Sequence, residues 1–225
     1  MTTAARLELD ELLEDMRRTL APAERAIRSH CYLDALAAGR VPESSLRAFA
    51  GEQFSIVSSD RRSFAHLAGR FPEPPAGDFF LSLAAGEGEA LSRLGGFAAA
   101  VSLGEEELRA YEPTPGAQAY KAFVAWLALD GSRADLALAF LANLDAWGVN
   151  CARMAEALRD RYGLDEEAVA FFDFFAVPAP GFEERALVVA AEGLAHGDSP
   201  GQARRAARLL QAYELLYWDT LAEGL

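Results

Sequence analysis

The sequence predicts an all-α, single-domain helical bundle, and three observations carry that expectation. Apolar residues recur at helical spacing along almost the whole chain. Ala, Leu, Glu and Arg, all good helix formers, fill the stretches between short Gly/Pro breaks. No stretch alternates apolar and polar residues as a half-buried strand would. Of the 225 residues 52% are hydrophobic and 24% charged, enough to bury one core, so residues 1–225 are expected to form one domain.

The breaks fall at Ala21-Pro22-Ala23, Gly39–Pro42, Phe71–Pro75, Glu112–Pro115, Asp130–Ser132, Tyr162-Gly163, Val177–Pro180 and Gly197–Pro200, and delimit roughly eight helices. The longest are expected over residues 43–70, 77–101, 132–161 and 200–224, each spanning roughly 30 Å or more. Ser199-Pro200 places a capping hydroxyl before a proline suited to the first helical turn, and Ser132 or Asp135 can accept first-turn amides after Gly131. Gly86-x-Gly88 and Gly95-Gly96 lie inside a helical pattern with no strand before them, which makes them close-packing glycines rather than a phosphate loop.

A net charge of −13 and a pI of about 4.7 repel phosphate backbones and anionic lipid, so no nucleic-acid or membrane partner is expected. The apolar tracts at Val124–Leu129 and Leu136–Leu144 are interrupted by charges well short of a membrane span. The acidic N-terminus lacks the pattern of a secretion signal, which points to the cytoplasm. Cys31 and Cys151 are too few for a disulfide framework and match no zinc spacing, so both are expected reduced and buried. His30, His66 and His196 do not pair at i+3, i+4 or i+7, so neither a metal nor another cofactor is expected.

Four short signatures occur in order. His30-Cys31-Tyr32-Leu33 precedes Leu36–Pro42; Thr114-Pro115 leads to Ala119-Tyr120; Asp130-Gly131-Ser132 forms a turn; Tyr213-Glu214-Leu215-Leu216-Tyr217-Trp218 closes the chain. Together they resemble the TenA/PqqC-like family, whose haem-oxygenase-like helical fold encloses a pocket for the thiamin pyrimidine in its thiaminase members. The resemblance implies a pocket tyrosine at Tyr120 and an acid/base carboxylate at Glu214. It puts the nucleophilic cysteine of thiaminases at Asn143, an amide that forms no thiolate. The family's pyrimidine-binding aspartate falls at Gln53, and its pocket tyrosines fall at Ile56, Trp147 and Phe175. The resemblance also implies a homodimer or homotetramer.

Helical periodicity groups these positions into faces: Asn143, Trp147 and Asn150 on one helix, Gln53, Ile56 and Asp60 on another, Glu214, Tyr217 and Trp218 on a third. Converging, they would line an aromatic, partly polar hollow fit for a small planar ligand. Glu214, among Tyr213, Tyr217 and Trp218, should lose solvation and rise in pKa toward the range useful for proton transfer. Glu52 is a second candidate, turned about 100° from the Gln53 face. The competing reading makes Trp147 and Tyr217 ordinary core aromatics and Glu214 a solvated ion pair. The expected function is an enzyme that hydrolyses or otherwise cleaves a C–N bond of an aminopyrimidine or similar heteroaromatic, with Glu214 catalytic and Tyr120, Gln53, Asn143, Trp147, Tyr217, Ile56 and Phe175 binding the ligand. The alternatives are a non-catalytic heteroaromatic-binding protein and an oxidase of PqqC-like or di-iron type.

Overall fold

The computed structural model describes residues 3–225, with side chains from Leu9 onward. Ten helices make up the described chain, with no strand among the described residues: α1 (Thr3–Arg28), α2 (Cys31–Ala37), α3 (Glu43–Arg70), α4 (Ala76–Ala100), α5 (Glu105–Ala110), α6 (Pro115–Asp130), α7 (Arg133–Tyr162), α8 (Glu166–Ala176), α9 (Phe182–Ala195) and α10 (Pro200–Leu221). The all-α expectation holds, and α3 coincides with its predicted span.

Helix α7 is the axis of the bundle. Its residues 134–140 are all buried and, apart from the capping Asp135, apolar around the helix, as a helix enclosed by neighbours must be. Helices α1, α2, α8, α9 and α10 pack around it, and α3 and α4 form a long hairpin alongside α6 and α8. The capping chemistry follows the sequence. Ser132 Oγ accepts from the Asp135 amide at 3.2 Å while Asp135 Oδ2 accepts from the Ser132 amide at 2.9 Å, a reciprocal box that starts α7. Ser199 Oγ accepts from the Gln202 amide at the start of α10.

Four expectations need correction. The break at Pro22 does not occur: α1 runs through it. Pro22 and Arg18, whose carbonyl the proline leaves without its helical donor, are both exposed, so water can satisfy the freed oxygen and the helix continues. One unanticipated break, and a short helix α5 beyond the expected end of the helix over 77–101, raise the helix count. At Ser29-His30, His30 caps α2 by accepting from the Tyr32 amide at 3.2 Å. At 101–104, the Leu103 amide donates to the Ala98 carbonyl at 2.8 Å across a left-handed Ser102, φ 57°; serine does there what glycine usually signals. Cys31 is exposed, being on the solvent side of the first turn of α2, whereas Cys151 is buried, and both are free thiols. Gly86 and Gly95 face open space; Gly96 alone among these four glycines abuts backbone.

The buried side chains fall into two apolar clusters. One gathers α2, the first half of α3, the last half of α4, the later turns of α7, α8 and the end of α10. The other gathers α1, the last half of α3, the start of α4, α6, the early turns of α7, α9 and the start of α10. Tyr120 packs against both, and the polar buried residues Gln53, Asp60, Asn143, Gln211 and Glu214 lie on the helices that cross from one cluster to the other.

Gly95 and Gly96 offer a paired test of this packing. A Cβ at Gly96 would sit 2.5 Å from the Glu167 carbonyl oxygen of α8, whereas one at Gly95 meets nothing within 4 Å. Gly95→Ala should therefore stabilise by about 0.5–1 kcal/mol through helix propensity, and Gly96→Ala should destabilise by about 1–3 kcal/mol through overpacking. Urea denaturation of the two variants reads the opposite signs.

Candidate functional site

Between the two clusters lies a cavity of about 50 Å³, several times what one water needs. Gln53, Ile56, Val57 and Asp60 face it from α3, Glu87 from α4, Tyr120 from α6, Phe140, Asn143, Leu144 and Trp147 from α7, Phe175 from α8, and Glu214 and Tyr217 from α10. All eight side chains proposed from sequence, Glu214, Tyr120, Gln53, Asn143, Trp147, Tyr217, Ile56 and Phe175, thus meet at one hollow. Asn150, grouped with Asn143 by periodicity, does not reach it: its amide donates to the Ile27 carbonyl at 3.1 Å and ties α7 to the end of α1.

Glu214 is the centre of a fixed hydrogen-bond array. It is 3% exposed, and no cation pairs with it among the described residues, which sets aside the solvated ion pair. The Trp218 indole N–H, one turn on along α10, donates to Oε1 at 3.2 Å. The Asn143 amide donates to Oε2 from α7. Tyr120 in turn donates its hydroxyl to Asn143 Oδ1 at 3.1 Å, which fixes which end of the amide faces the carboxyl group. Burial pushes the Glu214 carboxyl up to about 7, with the bonds from Trp218 and Asn143 pulling in the other direction. A carboxyl group that titrates near neutrality can both take and return a proton.

A second polar pair closes another wall. Gln53 Nε2 donates to the Tyr217 hydroxyl oxygen at 2.7 Å, which leaves the Gln53 carbonyl and the Tyr217 hydroxyl proton to a ligand. Trp147 meets Phe175 edge-on at 5.9 Å and Tyr217 at 6.5 Å. Gly148 makes this possible, because a Cβ there would lie 2.9 Å from the Phe175 carbonyl oxygen and hold the end of α8 away from α7.

Glu52 faces away from the cavity and acts as a clamp. Its Oε1 accepts from the Tyr111 hydroxyl at 3.0 Å, the Thr114 amide at 2.7 Å and the Thr114 hydroxyl at 2.9 Å. The Tyr111 ring fills the space that a Cβ on Gly51 would occupy, 2.4 Å away. This grip fixes the start of α6 and hence the placement of Tyr120. His30 is likewise structural: besides its cap, its Nε2–H donates to Asp219 Oδ1 at 3.0 Å. His66 is exposed on α3, and His196 ends α9 with Nδ1 donating to the Glu192 carbonyl at 2.8 Å. No three His, Cys, Asp or Glu side chains converge as a metal-binding set among the described residues, and no described helix is long and apolar enough to cross a membrane.

Sequence reasoning left out Val57, Phe140, Leu144 and, most consequentially, Glu87, and it placed Asp60 on the right face without assigning it a role. Glu87 was legible through hairpin register: Phe49 of α3 packs on Phe97 of α4 at 5.9 Å, so antiparallel pairing carries residue 60 opposite residue 87.

The sequence profile of the TENA/THI-4/PQQC family matches residues 17–174. The chain belongs to this family. Phe175, Glu214 and Tyr217 lie beyond the matched segment. Among solved structures, a TenA homologue from Pyrococcus horikoshii OT3 superposes with a TM-score of 0.76 at 17% identity, covering 95% of this chain and 99% of the homologue. A putative TenA-like thiaminase from Sulfolobus solfataricus P2 matches at TM-score 0.68 and 11% identity, covering 94% and 95%. A domain from Shewanella denitrificans OS217, described as having a haem-oxygenase-like fold, matches at 0.72 and 13%, covering 94% and 92%. No curated protein sequence matches. The TenA relatives thus share the haem-oxygenase-like fold with this chain across nearly its whole length.

Glu214 should leave a signature in stability. Its carboxyl group holds a proton up to about pH 7 when folded, against an ordinary value of 4.5. Folding strength therefore declines as pH rises from about 5 to 7 and levels off above that window. Glu214→Gln removes this contribution, so relative to wild type the variant should gain roughly 3 kcal/mol between pH 5 and 8. Denaturant titrations at the two pH values measure it; a difference that does not change with pH would mean that Glu214 ionises normally.

Proposed function

We propose that the cavity is the active site of a cytoplasmic enzyme that hydrolyses a C–N bond of an aminopyrimidine, thiamin-related or similar heteroaromatic compound, with Glu214 as acid and base. The observation that supports this reading most is the desolvated Glu214 carboxyl group, poised to titrate near neutrality beside aromatic walls. In the carboxylate form Glu214 takes a proton from water while the water oxygen bonds to the ligand carbon. As the C–N bond breaks, the resulting carboxylic acid returns that proton to the departing nitrogen, and the enzyme is regenerated. Asn143 and Tyr120 orient the carboxyl group, Gln53 and Tyr217 hydrogen-bond the edge of the heteroaromatic ring, and Trp147, Phe175 and Ile56 enclose its faces. The thiaminase description of the Sulfolobus relative adds to this reading. With Asn143 at the position where the resemblance puts a cysteine, the route runs through water rather than through a covalent thioether adduct.

Asn143 also favours a second reading, a heteroaromatic-binding protein without turnover, since both Glu214 oxygens already accept hydrogen bonds. Turnover of aminopyrimidine fragments of thiamin separates the two. For the enzyme, Glu214→Gln should lower kcat by about a hundredfold to ten-thousandfold while a cooperative melting transition is kept. Calorimetric binding with no turnover by wild type would establish the binder instead.

We further propose that copies of the chain associate through the α6/α10 face. Phe123 stacks on Trp126 at 5.7 Å and meets Tyr213 at 5.2 Å, and Trp126, Leu129 and Leu216 stand 52%, 63% and 40% exposed, an apolar patch of a kind monomers rarely leave open. Light scattering after gel filtration should show a dimer or tetramer in wild type and a monomer for Trp126→Glu; unchanged assembly in the variant would exclude this face.

A further inference from the structure

The cavity has a second carboxyl wall that the proposed reaction does not use. Asp60 is 4% exposed, and its Oδ1 has no hydrogen-bond partner. Glu87 lines the same cavity from α4, facing Asp60 across the hairpin. An unpartnered buried oxygen costs free energy that a ligand donor could recover, and half-buried Glu87 adds further carboxyl acceptors to the same wall. Burial raises both groups well above their ordinary range, the charge of Asp60 adding to the rise at Glu87 and the Lys121 ammonium opposing it at Asp60. Tyr120 stands between the two walls: the fields of Asp60, Glu87 and Glu214 all reach its hydroxyl. The Lys121 ammonium, whose hydrogen bond goes to Ser55, acts on Asp60 from outside the cavity wall.

Asp60 lies seven residues after Gln53 on the same face of α3, a rise of about 10 Å. Gln53 is uncharged where the resemblance places an aspartate, so on this chain the anionic anchor on α3 lies two turns further on. We infer that Asp60 and Glu87 select a ligand bearing a cationic nitrogen, a primary ammonium or amidinium group, whose N–H donors engage both carboxyl groups while its heteroaromatic ring extends toward Trp147 and Glu214. This deepens the proposed function and rests on the cavity holding a heteroaromatic ring. The ammonium supplies what the wall lacks: a positive charge and several donors for carboxyl oxygens that face the cavity.

The test uses two probes that differ only in charge, 4-(aminomethyl)pyrimidine and 4-(hydroxymethyl)pyrimidine, titrated by calorimetry into the full-length protein. Wild type should bind the amine about tenfold or more tightly than the alcohol. In the Asp60→Asn/Glu87→Gln double variant that preference should vanish, with melting at or above the wild-type temperature showing that the fold is kept. Equal binding of both probes by wild type overturns the inference and leaves the heteroaromatic pocket standing. Binding of neither probe overturns the pocket reading and the inference with it. Saturable Mn²⁺ binding lost in the double variant would make the pair a metal site and overturn the inference as well.

Discussion

The constraint on which the site depends is the seating of an ionisable carboxyl group in the seam between two apolar clusters. Such a group costs least when its oxygens are satisfied, and for Glu214 the chain does this with an indole from the same helix and an amide from the central one. The amide must then be oriented, which Tyr120 does, and Tyr120 must be held, which falls to the clamp of Glu52 on Tyr111 and Thr114. Four helices and a loop are thereby committed to the position of one side chain. The arrangement resists local rearrangement because each member would leave another buried and unpartnered.

The outline of the fold was legible because its signals are local. Ser132, Asp135 and Ser199 announce helix starts, and apolar residues at helical spacing announce the helices that follow them. What escaped was set by tertiary context. Pro22 ends no helix because the carbonyl it orphans faces water, and Ser102 ends one because its backbone adopts a conformation that sequence associates with glycine. The eight side chains named from sequence meet at one hollow since i, i+4 and i+7 spacing fixes faces, and the family resemblance says which faces turn inward. Glu87 needed the register of a hairpin, which only the pairing of Phe49 with Phe97 fixes.

The distribution of charge distinguishes this hollow from the pocket that the resemblance implies. An amide stands where a thiol nucleophile is expected, a second amide where an aspartate is expected, and Ile56, Trp147 and Phe175 replace hydroxylated rings. Polar function is concentrated instead at two carboxyl walls, with Tyr120 between them. A carboxyl group that can be neutralised by a proton is easier to bury than a fixed charge.

Tyr120 touches both apolar clusters, and α3, α4, α7 and α10 each run through both. Four long helices are common to both halves, so the halves have no boundary along which one could melt while the other stays ordered. Loss of structure must then proceed as one cooperative event, and whatever fills the hollow is felt along the full length of every helix that frames it.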